Sequence, residues 1–220
     1  GATLSIVTIT PTHITCYRVG DSPIYVFRDG ENILYSDHDE EWETDLKELK
    51  QRHYFGIDIH SRCTNKNGVM DAPDITPVSG KIMTQKPSYY VYWDCGSATN
   101  MSRVIGHNEI KTYEKREKKA TQENKTTTLS LPNWTMTKTV IERMPDSKEK
   151  IIVASDGVSA VCGDFDYPFM SSAETAVDIM EVAYNRWNQV WTFKVDGYED
   201  QYTRIPDWNR DDMAIVTWNN

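Results

Sequence analysis

The sequence predicts an α+β protein, a layered sandwich of sheets with helices outside, in a single domain over residues 1–220. Short runs rich in Ile, Val, Thr, Tyr and Trp recur from Leu4 to Trp218 with turn residues between them, the pattern of many short strands. One run, Ile151-Ile152-Val153-Ala154, never alternates to polar, so it reads as a strand buried on both faces. Amphipathic helical stretches follow groups of strands instead of alternating with single ones, which segregates helices from antiparallel sheets.

Taken in order, Leu4 to Thr10 and His13 to Val19 are β-rich and separated by Pro11-Thr12, a hairpin. Ile24 to Phe27 pairs with Ile33 to Tyr35 across Asp29-Gly30, a strong turn signal, so the first third reads as one antiparallel meander with Asp21-Ser22-Pro23 as a loop. Asp39 to His53 runs from acidic to basic with Trp42, Leu46 and Leu49 on one stripe, a helix. Residues 56–86 are rich in Asp, Asn, Pro and Gly and read as an irregular insertion with one short strand. Tyr89 to Trp93 is a strand, and the mixed charges of Lys111 to Lys125 form a solvated loop or short helix. Thr137 to Arg143 alternates and is expected to pair with the Ile151 strand. Ser171 and Glu174 form a capping box that opens a helix with Ala176, Val177, Met180, Ala183, Tyr184 and Trp187 on its core stripe. Residues 191–210 read as a second insertion before the last strand, Met213 to Trp218.

Composition narrows function. A net charge of −9 and a pI near 5.1 disfavour nucleic acid and anionic membrane as partners, because both reward surplus Lys and Arg. No run reaches the ~18 apolar residues of a membrane span, and the first residues lack a secretory layout. The expectation is a soluble, intracellular, most simply cytoplasmic protein. Cys16, Cys63, Cys95 and Cys162 lack metal-binding spacing, and Cys16 and Cys162 sit among apolar residues as small hydrophobes. Sequons at Asn100, Asn124 and Asn133 are chance matches in such a chain.

The candidate chemistry lies at strand ends. Asp156 closes the buried Ile151 run and is followed by Gly157, which permits close backbone approach or positive φ. Asp21 follows the His13 strand, and Asp211-Asp212 precedes the last one. Carboxylates delivered by separate strand ends can converge on one spot, and hard oxygen donors suit Mg²⁺ or Mn²⁺. Asp21, Asp156 and Asp211 are therefore candidate metal ligands, the plainer alternative for Asp156 being a strand-to-turn Asp that caps its own backbone.

Read together, Gly1-Ala2-Thr3, Val19-Gly20-Asp21-Ser22, Ser36-Asp37-His38, Ser102 to His107, Val153-Ala154-Ser155-Asp156-Gly157 and Asp211 to Val216 resemble, in order, the signature motifs of the metal-dependent (PPM-type) protein phosphatases, type 2C. The resemblance covers nearly the whole chain. It implies a four-layer αββα sandwich of two central antiparallel sheets flanked by helices. It also implies two Mg²⁺ or Mn²⁺ ions, with Asp156 and Asp211 as ligands and Asp21 beside them. The implied activity is hydrolysis of phosphoserine and phosphothreonine on proteins by a metal-activated water.

The family's upstream motifs, an Arg before Glu-Asp and an Asp-Gly-His-Gly-Gly, are absent from residues 1–220. The domain is then expected to be incomplete at its N-terminus, with a separate N-terminal segment as one candidate partner beside a phosphoprotein substrate. Ala160 stands where many bacterial members carry another Asp, His107 where an Asp closes a Gly-Asp pair, and Asp212 and Ala214 where Asn and Thr are usual. The alternative is a catalytically inactive pseudophosphatase serving as a binding or structural subunit.

Overall fold

The computed structural model describes residues 2–36, 57–61, 69–71, 83–84, 89–93, 98–99, 103, 105, 136–194, 199 and 201–220. The α+β class is borne out: antiparallel sheets carry most of the ordered chain and a few helices accompany them. The chain divides into two compact units.

The first unit comprises residues 1–22, 36–62 and 88–143. Its larger sheet has the order β1 (Leu4–Ile9), β2 (His13–Val19), β10 (Thr137–Glu142), with Val7 and Thr139 both opposite Cys16. β2 is the central strand, and its alternate residues Ile14, Cys16 and Arg18 are buried. Arg18 can sit there because its guanidinium donates to Ser36 Oγ at 3.1 Å and to the Gly20 carbonyl at 2.5 Å. A second sheet has the order β5 (Ile57–Ser61), β8 (Tyr89–Trp93), β9 (Ala98–Thr99).

The second unit comprises residues 23–35, 63–87 and 144–220. Its main sheet has the order β14 (Ile215–Asn219), β11 (Glu149–Ala154), β3 (Ile24–Arg28), β4 (Glu31–Ser36). The loop between β3 and β4 has two residues, Asp29 at φ 51° and Gly30 at φ 89°, the positive-φ pair that matches the twist of a tight hairpin. Another sheet has the order β13 (Gln201–Arg204), β12 (Val190–Lys194), β6 (Val69–Asp71), β7 (Met83–Thr84). Three helices follow β11: α1 (Asp156–Ser159), α2 (Tyr167–Ser172) and α3 (Ala176–Asn188).

As expected, β11 is buried along nearly its whole length on both faces. One face, Ile152 and Ala154 with Tyr25 and Phe27 of β3, packs against Met170, Ile179, Ala183 and Trp187 from the helices. Tyr167 sets its ring edge-on to Tyr25 and Phe27, with centroids 5.9 Å away in each case, the arrangement that aromatic quadrupoles favour.

Several expectations change. The first third is not one meander: β1–β2 and β3–β4 are hairpins in different sheets, because the turn at Gly20 and Pro23 carries the chain out of the first. β10 pairs with β2 and not with β11, since β11 takes β3 and β14 on its two sides. α3 is capped by Thr175 and Asp178, not Ser171 and Glu174; Thr175 Oγ1 accepts the Asp178 amide at 3.3 Å and Asp178 Oδ2 accepts the Thr175 amide at 2.7 Å. Its buried face is Ile179, Ala183, Arg186 and Trp187, while Val177 and Tyr184 are exposed. Residues 56–86 contain three short strands, and residues 191–210 form the β12–β13 hairpin and a turn of 3-10 helix at Asp207–Asn209. The helix expected over Asp39 to His53 and the charged segment Lys111 to Lys125 lie outside the described residues.

Cys16 and Cys162 are buried and free, as expected. Burial pushes the Cys16 thiol up to about 11, and burial followed by the nearby Asp166 carboxylate pushes Cys162 up to about 12. Both therefore remain thiols at neutral pH. Iodoacetamide at pH 8 is expected to leave Cys16 and Cys162 unmodified in the native protein and to label both in urea, as read by peptide mass mapping. Labelling of Cys162 without denaturant would contradict its burial.

Candidate metal centre

Within the second unit, the ends of β11 and β14 are joined through one side chain. The Ser155 amide donates to the Ala214 carbonyl at 2.9 Å. Ser155 Oγ accepts the Ala214 amide at 2.9 Å and donates to the Asp212 carbonyl at 3.0 Å. A hydroxyl suits this position because it donates and accepts at once. The result is that residues 211–214 lie against Ser155-Asp156-Gly157.

How close they lie is shown at Gly157. A Cβ built there would fall 2.3 Å from the Asp212 carbonyl oxygen and 3.2 Å from Asp211 Cβ. Gly157 is thus required for close approach, and its φ is not positive. Asp156 and Asp211, 55 positions apart in the numbering, are brought to the same end of the sheet. Each uses Oδ1 on the amide of its successor, Asp156 accepting Gly157 at 3.0 Å and Asp211 accepting Asp212 at 2.9 Å. Asp156 is half-buried at the start of α1, and Asp211 is exposed.

Behind this pair stands a buried scaffold. Trp187 Nε1 donates to the Gly157 carbonyl at 2.7 Å, tying α3 to the turn that carries Asp156. The neighbouring Arg186 is paired with Asp166 through both Nη atoms, donates to the Val161 carbonyl at 2.8 Å and lies over the Phe165 ring. Trp191 Nε1 donates to the Arg186 carbonyl at 3.0 Å. Sequence reading found Trp187 only as a core residue and missed Arg186 with Asp166, because an indole N–H bond and an ion pair 20 positions apart leave no periodic trace.

Asp21 belongs to the first unit, where it is buried at the end of β2. Gly20 before it has φ +89°, and a Cβ there would come 2.5 Å from Thr3 Cγ2. Ser22 after it shares a 2.7 Å hydrogen bond with Thr3 and accepts Ser5 Oγ at its carbonyl. The Gly-Asp-Ser turn is thereby fixed onto β1. Ala160 is exposed, and His107 and Asp37 lie outside the described residues.

Two carboxylates are oxygen donors of the hard kind that Mg²⁺ and Mn²⁺ take, so the site fits such an ion in chemistry. Among the described residues, no group of three or more His, Cys, Asp and Glu is assembled to hold one. Water or further residues would have to complete the coordination. Among the described residues no helix is long and apolar enough to cross a membrane.

No family model and no curated protein matches this sequence. Among solved structures the chain is similar to "PppA, a key regulatory component of T6SS in Pseudomonas aeruginosa", with 12% identity and a TM-score of 0.40 over 99% of this chain and 57% of that one. The chain spans little more than half of that protein, and a likeness of this size carries no argument about fold or chemistry.

Proposed function

We propose that the chain is part of a PPM-type phosphatase domain in which Asp156 and Asp211 hold a divalent cation. The observation that supports this is the Ser155 clamp, which holds the segment carrying Asp211 against the turn carrying Asp156. The same residues carry the family resemblance in sequence. Asp21 remains the third carboxylate of the proposal on the strength of that sequence pattern alone. Two bound Mg²⁺ or Mn²⁺ ions would supply a more acidic water and neutralise charge on phosphoryl oxygens.

The chain's own residues do the positioning. Oδ1 of each Asp is fixed by the following amide, Ser155 sets the distance between the two turns, and Trp187 keeps the Asp156 turn on α3. The substrate class proposed is phosphoserine and phosphothreonine in proteins. Metal-binding without turnover, in a pseudophosphatase that acts as a binding subunit, is the second reading. It is favoured by the lack of a three-ligand cluster among the described residues and by the exposure of Asp211.

Mn²⁺ is expected to raise the melting temperature of the wild-type chain. Asp156→Asn should weaken Mn²⁺ binding by about tenfold or more in titration calorimetry, at least the loss usual for disturbing a metal site. Release of p-nitrophenol from its phosphate ester, dependent on both Mn²⁺ and Asp156, selects the enzyme; Mn²⁺ binding with no release selects the second reading. Mn²⁺ affinity that survives Asp156→Asn removes Asp156 from the site.

A further inference from the structure

Among the described residues, the outer side of β14 is an unpaired sheet edge. β14 ends its sheet, and among the described residues it pairs only with β11. The Ser155 and Asn220 amides donate to the Ala214 and Glu149 carbonyls, so alternation along this antiparallel pair turns the amides and carbonyls of Ile215, Thr217 and Asn219 away from β11. Edge strands are ordinarily protected by Lys, Pro or a bulge. Ile215-Val216-Thr217-Trp218-Asn219 has none of the charge or proline that would do this.

Apolar surface continues from the edge on both faces of the strand. Val216 is 69% exposed on the face away from the helices. On the other face a groove of about 570 Å³ runs between β14 and α3, lined by Val177, Met180, Tyr184, Met213 and Ile215. Its lip carries one carboxylate, the exposed Glu181. Of the neighbouring cations, Arg210 is engaged with Asp207 and Asn188, while Lys150 donates to the Ala173 carbonyl and balances Asp178.

We propose that this edge and groove bind an extended peptide segment of another protein, one that carries both apolar residues and Lys or Arg on the same face. The peptide would add to β14 as a further strand. Because every second side chain of a strand shares a face, apolar side chains on the groove side would enter it and a cation two positions along would meet Glu181. A second copy of this chain fits less well, because it would bring the same carboxylate against its own. The proposal is independent of the metal reading, since it uses neither Asp156 nor a bound ion.

The test is fluorescence anisotropy of the whole chain with labelled peptides of about seven residues, the length of a short strand, carrying Ile and Lys, or Ile and Glu, in turn at every second position with Thr between. The Lys peptide is expected to bind, and the Glu peptide about tenfold or more weaker. Thr217→Pro removes an outward amide without touching the bonds to β11, and should abolish Lys-peptide binding while circular dichroism is unchanged. Should that variant not fold, Glu181→Lys, a change at an exposed side chain, is expected to weaken the Lys peptide and strengthen the Glu peptide. Equal binding of the two peptides, binding indifferent to both variants, or a concentration-dependent dimer that excludes the peptide would each overturn the proposal.

Discussion

Gly157→Ala is expected to destabilise the protein by about 3 kcal/mol or more, at the upper end of what overpacking costs, and to abolish any thermal response to Mn²⁺. The added methyl would meet the Asp212 carbonyl oxygen at 2.3 Å and its carbon at 3.0 Å, backbone atoms that cannot rotate aside. Neither partner is at liberty to retreat. The Asp212 carbonyl is held by Ser155 Oγ, and the Gly157 carbonyl by Trp187 Nε1. Relief would require the Asp211–Asp212 segment to separate from the Asp156 turn, undoing the proximity on which a shared cation depends. Urea denaturation with and without Mn²⁺ measures both effects. A variant as stable as wild type would show that the approach of these segments is looser than 2.3 Å implies.

Asp166→Ala is expected to cost about 3–5 kcal/mol, because it strands a buried guanidinium. Arg186 would retain the Val161 carbonyl, the Cys162 side chain and the face of Phe165, none of them charged partners, while its side chain is 9% exposed. Asp166 Oδ2 also accepts the Gly163 amide at 2.9 Å, so the segment entering α2 loses a second tie. Replacing both charges, Asp166→Leu with Arg186→Met, is expected to be much less damaging than the sum of the single changes, since no unpaired charge remains. A double-mutant cycle by chemical denaturation checks this. Additive losses would mean that the two side chains stabilise the fold independently of one another.

Much of this architecture could be read along the chain. Runs with period two appear as β2 and β10, the β-rich runs at Leu4 and Ile24 appear as β1 and β3, Asp29-Gly30 forms the tight turn, and the featureless Ile151 run is the strand buried on both faces. These are local consequences of side-chain alternation and turn chemistry. Partner choice was not legible. Thr137 to Glu142 alternates equally well beside β2 or β11, and the choice was settled by β11 already having β3 and β14 as neighbours. α3 shows the same limit, because its apolar positions Val177 and Tyr184 suit a core stripe, yet the buried face includes Arg186, made tolerable there by Asp166.

By itself, the sequence determined the strands with strong local patterns, the Asp29-Gly30 turn, and that Asp156 and Asp211 stand near strand ends, because these depend on residues only a few positions apart; the short strands within 57–84 and the β12–β13 pair left no such pattern. Only the tertiary structure decided that those two strand ends adjoin, that Ser155 joins them, that Gly157 must lack a side chain, and that β14, among the described residues, presents an unpaired edge beside a groove with Glu181 at its lip. Each of these is a contact across dozens of residues, set by which surfaces pack together and so absent from any local pattern.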